Sequence, residues 1–179
     1  MASAAAAFGS NWRVSNHMDF DAQTILLVED NEGDVFIFKR FAQKAGIKNP
    51  VQVVRTGEEA VAYLAGQGRY AARSQYPLPL FVLLDLKLPL KDGLDVLQWI
   101  RANPEIKSLS VVVLTSSAEP RDVERAYSLG ALSYLIKPAS KETLAQMMSA
   151  LRSGQTQPGS RPLIPGCLFV EMAAKRGAS

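Results

Sequence analysis

Residues 81–89 read Phe-Val-Leu-Leu-Asp-Leu-Lys-Leu-Pro, and this stretch decides the fold. Its first four residues are apolar and lie between Pro79 and Pro89, which is typical of a short strand buried on both faces of a parallel sheet. The strand ends on a carboxylate, Asp85. Because the carboxyl ends of the strands carry the chemistry in open α/β sheets, Asp85 is a candidate site residue. The alternative is that Asp85 only caps the following turn.

Length and composition restrict the class of protein. The chain has 179 residues, 47% of them hydrophobic, which is enough for one well-packed domain with an extension. The net charge of +3 comes from scattered basic residues, so we expect no nucleic-acid partner. No apolar run is long enough to cross a bilayer, and the N-terminus lacks a signal-peptide pattern, so we expect no membrane partner.

Cysteine and histidine are almost absent from the sequence. The single cysteine, Cys167, excludes an internal disulfide and a cysteine-cluster metal site, and it suits a reducing compartment, so we expect a cytoplasmic protein. The single histidine, His17, precedes the first apolar run. Histidine-based catalysis and metal binding are therefore excluded for the body of the chain.

Strands and helices alternate five times along the chain. The apolar runs that we interpret as strands are 24–28, 51–54, 81–84, 110–114 and 132–136. The segments with helical spacing or caps are 34–45, 56–65, 94 to about 103, 120–129 and 140–151. Because strand-helix-strand crossovers are right-handed, this alternation predicts an α/β fold, a flavodoxin-like doubly wound parallel sheet of five strands in the order 2-1-3-4-5 with five helices.

The compact domain is expected to cover residues 23–152. The small-residue segment 1–22 is interpreted as a disordered leader. From residue 153 the composition changes to Gly, Pro, Ser and Gln, so 153–179 is interpreted as a tail without an independent fold.

Phe36 does not fit the pattern of the first helix. It falls on the same side as the polar residues Arg40 and Gln43. Two accounts are open: an exposed aromatic that is available to a partner, or a core face wider than usual, which we favour.

Polar residues follow four of the five strands. They are Glu29, Asp30, Asp85, Thr115 and Lys137. In a sheet of this order their strands are neighbours or near neighbours, so the five side chains should share one pocket. Three clustered carboxylates repel one another unless a cation lies among them, and an oxygen-only set favours Mg²⁺. The alternative is a set of unrelated caps at strand ends.

These side chains have the properties that phosphoryl transfer requires. Asp85 can act as a nucleophile and hold a covalent phosphoryl group. Asp30 and Glu29 would hold the metal, while Thr115 and Lys137 would bind phosphoryl oxygens.

The sequence resembles the receiver domain of two-component response regulators over residues 24–152. The resemblance depends on Val28-Glu29-Asp30, on residues 84–89 with Asp92-Gly93 following, on Leu114-Thr115-Ser116 and on Lys137-Pro138. The long connection 66–79 with its tyrosines Tyr70 and Tyr76, together with residues 112–117, is similar to the stand-alone regulators that include partners of bacterial phytochromes.

The resemblance implies how such a domain would work. It would take a phosphoryl group from a sensor histidine kinase, including phytochrome-type photoreceptors, onto Asp85 with Mg²⁺, and later hydrolyse it; beyond this self-modification we expect no enzyme activity. The family's metal site consists of the acid pair, Asp85 and the backbone carbonyl two residues beyond, which here belongs to Lys87. Lys137-Pro138 is expected to be a cis peptide.

The resemblance also implies a switch. Thr115 would move toward the new phosphoryl group, and the aromatic residue at the family's position, Tyr134, would turn inward to fill the vacated space. The alternative is a half-buried tyrosine with no signalling role. The surface changed by the switch, formed by the fourth helix, fifth strand and fifth helix, is where receivers often dimerise, so we expect a homodimer there.

Two other functions compete with this interpretation. An aspartate-dependent phosphatase of the haloacid dehalogenase type wants a second aspartate two residues after the nucleophile, where this chain has Lys87. A receiver fold that works as an interaction module without phosphorylation would usually have lost part of its pocket, whereas here every residue type is present. A dinucleotide site is excluded because the first strand is followed by the acidic run 29–33 and not by a glycine-rich loop.

Overall fold

The computed structural model describes residues 19–153. These residues form one parallel sheet with a layer of helices on each face. In chain order the elements are β1 (Ile25–Val28), α1 (Glu32–Lys44), β2 (Val51–Val54), α2 (Gly57–Ala65), β3 (Phe81–Leu84), α3 (Gly93–Ala102), β4 (Ser110–Thr115), α4 (Pro120–Ser128), β5 (Ser133–Ile136) and α5 (Lys141–Arg152). Short 3₁₀ turns occur at Phe20–Ala22 and Gly68–Tyr70.

The sheet has the order β2-β1-β3-β4-β5, with every neighbouring pair parallel, so the predicted topology is confirmed. β1 and β3 lie inside the sheet, and all four residues of each are buried. Continuous apolar runs are what a strand covered on both faces requires. The edge strand β2 is only partly buried.

Alternate residues of each strand pack against different helices. One core cluster joins Leu27 and Leu83 to Phe38 of α1 and Met147 of α5. The other joins Val28, Leu84 and their neighbours to residues of α2, α3 and α4. Helices α1 and α5 therefore cover one face of the sheet, and α2, α3 and α4 cover the other.

The helix ends follow from local sequence. α1 starts at Glu32, two residues before the predicted start, because the Asn31 side chain accepts a hydrogen bond from the Asp34 amide and caps the helix. Thr56 caps α2 in the same way through the Glu59 amide, and Ser140 caps α5 through the Thr143 amide.

Phe36 has 64% of its surface exposed, so the favoured account of a widened core face is wrong. The next residue on α1, Ile37, is also exposed. The core face of the helix uses Val35, Phe38 and Ala42 instead. The period of 3.6 residues thus leaves Phe36 on the solvent side.

Part of the predicted leader packs on the body. The Asn49 amide donates to the carbonyls of Phe20 and Gln23, and the Asp21 carboxylate pairs with Arg152 at the end of α5. Residues 1–18 and 154–179, with His17, Cys167 and the predicted tail, lie outside the described residues. Among the described helices, none has the length and apolar character required to span a bilayer.

Candidate functional site

The acidic residues meet because β1 and β3 are neighbours in register. Val28 pairs with Leu84, and the Asp85 amide donates to the Val28 carbonyl over 3.1 Å. One carboxylate oxygen from each of Glu29, Asp30 and Asp85 lies within 4.8 Å of the others. Glu29 and Asp85 are buried, with 2% and 5% of their surface exposed, whereas Asp30 faces solvent.

Gly93 allows the loop after β3 to fold closely around Asp85. A Cβ atom at position 93 would lie 2.1 Å from the Asp85 carbonyl oxygen, a distance that no side chain tolerates. The Gly93 amide donates to the Leu86 carbonyl over 2.9 Å. The Asp92-Gly93 pair of the sequence motif therefore positions the segment that carries Asp85.

Lys137 reaches the acids from the end of β5. Its ammonium lies 2.6 Å from Asp85 Oδ2 and 3.0 Å from Asp34 Oδ2, and it also contacts Glu29 Oε2. The Lys137–Pro138 peptide is cis. Only 11% of the lysine side chain is exposed, so these ion pairs are largely shielded from water.

Burial and pairing act on the charges of this pocket in opposite directions. Burial of Glu29 raises its pKa, and the hydrogen bond from Lys137 offsets only part of this effect. Burial also disfavours the charged form of Lys137, but its hydrogen bonds to Asp85, Glu29 and Asp34 outweigh burial and raise the lysine pKa. The ammonium is therefore the charge that the pocket stabilises.

The donor set fits a hard divalent cation. Glu29, Asp30 and Asp85 offer carboxylate oxygens only, close enough to share one ion. Lys87, whose backbone carbonyl was the predicted fourth ligand, has an exposed side chain, and its amide donates to Asp85 Oδ1 over 3.2 Å. The loop after β3 thus turns back over the Asp85 carboxylate.

Thr115 is fully buried at the end of β4, beside the strand that carries Asp85. Its hydroxyl accepts a hydrogen bond from the Ser117 amide over 3.3 Å, and its carbonyl accepts one from the Lys137 amide over 2.9 Å. Thr115 therefore connects the loop after β4 with the start of the segment that carries the lysine.

Tyr134 lies inside the protein and not at its surface. Its side chain is fully buried, and its hydroxyl donates to the Ser117 carbonyl over 3.0 Å. Burial raises the pKa of Tyr134 to about 12. The inward position that we expected only after phosphorylation is already present in this structure.

Two residues of the site were missed in the sequence. Asp34 contacts Lys137. The sequence feature that could have indicated it is its position as an acid in the first turn of the helix that follows Glu29 and Asp30. Ser117 joins β4 to α4, since its hydroxyl donates to Asp122 Oδ2 over 2.7 Å. Its signal was weak, because serine is common in loops.

The comparisons with known proteins agree with this geometry. The model of the response regulator receiver domain family matches residues 25–149. Response regulator Rcp1 of Synechocystis sp. is 37% identical over 131 residues, which cover 73% of this chain and 87% of Rcp1.

Solved structures resemble the chain as well. The phosphorylated cyanobacterial phytochrome response regulator RcpA has a TM-score of 0.65 and 35% identity, covering 76% of this chain and 99% of RcpA. The Mn²⁺-bound form of response regulator Rcp1 has a TM-score of 0.61 and 36% identity, covering 78% and 99%. The strand order, the acid pocket and these matches show that the chain belongs to the response regulator receiver domain family of two-component signalling.

Proposed function

We propose that this chain is a single-domain response regulator that accepts a phosphoryl group on Asp85 from a sensor histidine kinase. The observation that carries the proposal is the contact of 2.6 Å between the Lys137 ammonium and Asp85, in a pocket shared with Glu29. An ammonium in this place can bind an oxygen of a phosphoryl group attached to Asp85. The contact therefore supports a role for the pocket in stabilising added negative charge.

In the proposed reaction, an Asp85 oxygen attacks the phosphorus of a phosphohistidine on the kinase. A phosphorus–oxygen bond forms while the phosphorus–nitrogen bond breaks, and the departing imidazole keeps the electron pair and takes up a proton. Thr115 and Lys137 donate to phosphoryl oxygens. Water later cleaves the acyl phosphate, which returns the Asp85 carboxylate and inorganic phosphate.

Mg²⁺ is the proposed cofactor, and the Mn²⁺-bound form of Rcp1 supports a divalent ion in a relative. Glu29, Asp30, Asp85 and the Lys87 carbonyl would hold it. When bound, the ion neutralises part of the charge on the phosphoryl oxygens. Because Lys137 pairs with Glu29 and Asp85, the ammonium and the cation would share the oxygens of these two carboxylates.

The proposed switch starts from the inward position of Tyr134. Its hydroxyl bonds to the Ser117 carbonyl, and the Ser117 amide bonds to Thr115. A Thr115 hydroxyl that turns toward a phosphoryl group gives up the bond from Ser117. Phosphorylation therefore changes the segment that holds both Tyr134 and the start of α4.

Small phosphodonors test the acceptor. Acetyl phosphate with Mg²⁺ is expected to add one phosphoryl group to the wild-type chain and none to Asp85→Asn, as measured by intact mass. Asp95→Asn, which changes an exposed aspartate on α3, is the matched control and should be modified like wild type. Equal labelling of wild type and Asp85→Asn would refute the proposal.

Lys137→Ala separates acceptance from switching. It is expected to accept a phosphoryl group but to lack the conformational change. The reason is that the ammonium at the end of β5, which would bind a phosphoryl oxygen, is gone. Hydrogen exchange of α4 and β5, with and without acetyl phosphate, measures the difference. A change equal to that of wild type would contradict the role of Lys137.

The proposed partner is a sensor kinase of the phytochrome type, because RcpA is named as a phytochrome response regulator. A docking surface on α1 is supported by the exposed side chains of Phe36 and Ile37. Ile37 also lines a cavity of about 210 Å³ that reaches Lys137. We also propose a cytoplasmic location, since a lone cysteine suits a reducing compartment.

The homodimer through α4, β5 and α5 remains a proposal. The exposed large apolar side chains of the described residues are Phe36, Ile37, Leu78 and Leu90, and none belongs to these three elements. An interface there would therefore depend on polar contacts, such as those of the exposed Arg121 and Arg125. Sedimentation with and without a phosphoryl mimic, at low and high salt, tests it; a constant monomer mass would contradict it.

The two competing functions make different predictions. A phosphatase would turn over general phosphate esters, although Lys87 occupies the place of its second aspartate. An interaction module that works without phosphorylation would bind its partner equally well as wild type and as Asp85→Asn. The ester assay and the binding assay therefore separate both alternatives from a phosphoacceptor.

A further inference from the structure

Lys137 has a carboxylate partner outside the set of metal and acceptor residues. Of its three carboxylate contacts within residues 19–153, those with Glu29 and Asp85 belong to the proposed metal site. The third, Asp34, lies on α1 and contacts the ammonium over 3.0 Å. Its side chain is 37% exposed, so it is the most hydrated of the three partners.

Asp34 is held in place independently of the metal. It lies in the first turn of α1, where the Asn31 side chain accepts a hydrogen bond from its amide over 3.1 Å. A negative side chain is also favoured near a helix N-terminus. The backbone that carries this carboxylate is therefore fixed by the helix cap, whichever groups the other acids bind.

We propose that Asp34 is a positioning residue that competes with the phosphoryl group for Lys137. This inference rests on the proposed function. When Glu29 and Asp85 bind the cation, Asp34 is the carboxylate that still holds the ammonium. A phosphoryl group on Asp85 must draw Lys137 away from Asp34, so Asp34 opposes the modified state.

Glu32 provides a matched control on the same helix turn. It carries the same charge, but its side chain is exposed and pairs with Arg55 over 3.3 Å. Removing Glu32 changes the charge near the pocket without touching a Lys137 contact. Removing Asp34 changes the charge near the pocket and also removes a contact of Lys137.

The test measures the affinity of the full-length protein for beryllofluoride, a phosphoryl mimic, in excess Mg²⁺ by ¹⁹F NMR. Asp34→Asn is expected to bind roughly three- to fivefold more tightly than wild type, the size of effect for a partly exposed ion pair. Glu32→Gln should stay within about 1.5-fold of wild type, because exposed pairs contribute little. Asp34→Glu, which keeps a carboxylate, should restore weaker binding.

A second readout separates competition from a general structural effect. In a Lys137→Met background, Asp34→Asn should no longer tighten binding, because the residue through which Asp34 acts is missing. Without beryllofluoride and with Lys137 retained, the ¹⁵Nζ signal of Lys137 in Asp34→Asn should be shifted from its position in wild type. The same signal in Glu32→Gln should be unshifted. Thermal unfolding of each variant verifies that it is folded.

The outcomes are distinguishable. Unchanged or weaker binding by Asp34→Asn overturns the inference, and so does equal tightening by Glu32→Gln, which would indicate a net-charge effect. If wild type itself does not bind beryllofluoride, the proposed function fails, and the competition fails with it. Tightening that is confined to Asp34→Asn and lost without Lys137 supports it.

Discussion

The site has two halves that are built differently. The acid half consists of Glu29, Asp30 and Asp85, and the half of the proposed switch, called the switch half below, consists of Thr115, Ser117, Tyr134 and Lys137. The acid half follows β1 and β3, which are paired on both sides and buried along their whole length. The register of β1 and β3 brings its residues to the same edge of the sheet. Its positions are therefore set by the backbone.

The switch half depends on side chains and a loop. Ser117 bonds to Thr115 through its amide, to Tyr134 through its carbonyl and to Asp122 through its hydroxyl. Lys137 is held by carboxylates of the acid half and of α1. Substitutions in the acid half should thus change the charge of the pocket. Those in the switch half should also move the neighbouring side chains and the loop after β4.

Lys137→Met should give the largest effect on stability, because the ammonium joins the two halves. Glu29 and Asp85 would lose their counter-ion while buried, which should lower the free energy of unfolding by about 3 kcal/mol without a divalent ion. Mg²⁺ should restore much of the loss and should bind more tightly than to wild type. Urea unfolding with and without Mg²⁺ measures both effects.

Lys107→Met is the control, because Lys107 is exposed and should change stability by less than about 0.5 kcal/mol. A loss below about 1 kcal/mol for Lys137→Met would mean that the two halves are not joined by this ammonium. The loss should also shrink toward acidic pH, because burial raises the pKa of Glu29 and a protonated Glu29 no longer needs a counter-ion.

The second-largest effect on the free energy of unfolding is expected from Tyr134, at alkaline pH. Its pKa of about 12 lies above the usual value of 10, so the folded state holds the phenolic proton more tightly than the unfolded state. This stabilisation is complete below pH 10 and is lost as pH rises toward 12, and it amounts to roughly 2 kcal/mol. Unfolding measured between pH 9 and about pH 12 should show this loss.

Tyr134→Phe tests whether the loss of stability at alkaline pH comes from the Tyr134 phenol. The variant has no phenolic proton, so its stability should fall less steeply above pH 10 than that of wild type. Tyr63 is also buried with a raised pKa, and its contribution is present in both proteins. Parallel curves for wild type and Tyr134→Phe would show that Tyr134 titrates like an exposed tyrosine and does not stay inside.

The same contrast explains what the sequence could reveal. Apolar runs that end in acids place β1, β3 and the acid half, because period and strand order depend on residues close together in the chain. Asp34 and Lys137 lie 103 positions apart, and their contact depends on how α1 packs beside α5. Local patterns carry no signal for such a distance.

Phe36 and Tyr134 also show that local sequence patterns do not predict the exposure or the rotamer of a side chain. Spacing placed Phe36 on the polar side of α1, but the widened core face that we favoured is contradicted by its exposure. Tyr134 occupies the position that the motif indicates, yet its rotamer depends on the Ser117 carbonyl across the site. Residue positions are encoded locally, whereas rotamers and exposure are decided by tertiary contacts.

Ser117→Ala should give the smallest effect, and it tests the switch half alone. The substitution removes the hydrogen bond of 2.7 Å to Asp122 and should lower the free energy of unfolding by about 1 kcal/mol. The Asp122 and Val123 amides bond to the Glu119 carbonyl in the first turn of α4, so they should exchange hydrogen faster. The amides of β1 and β3 should be unchanged, because the acid half does not depend on this loop.

Ser116→Ala is the neighbouring control, since Ser116 is exposed and should leave α4 exchange as in wild type. If Ser117→Ala and Asp122→Asn each loosen α4 but the double variant loosens it no further, the two side chains act as one pair. Additive losses would contradict that. Equal loosening in β1 and β3 would instead mean that the halves are not built separately, because an intact sheet register should not respond to a lost side-chain bond in the loop after β4.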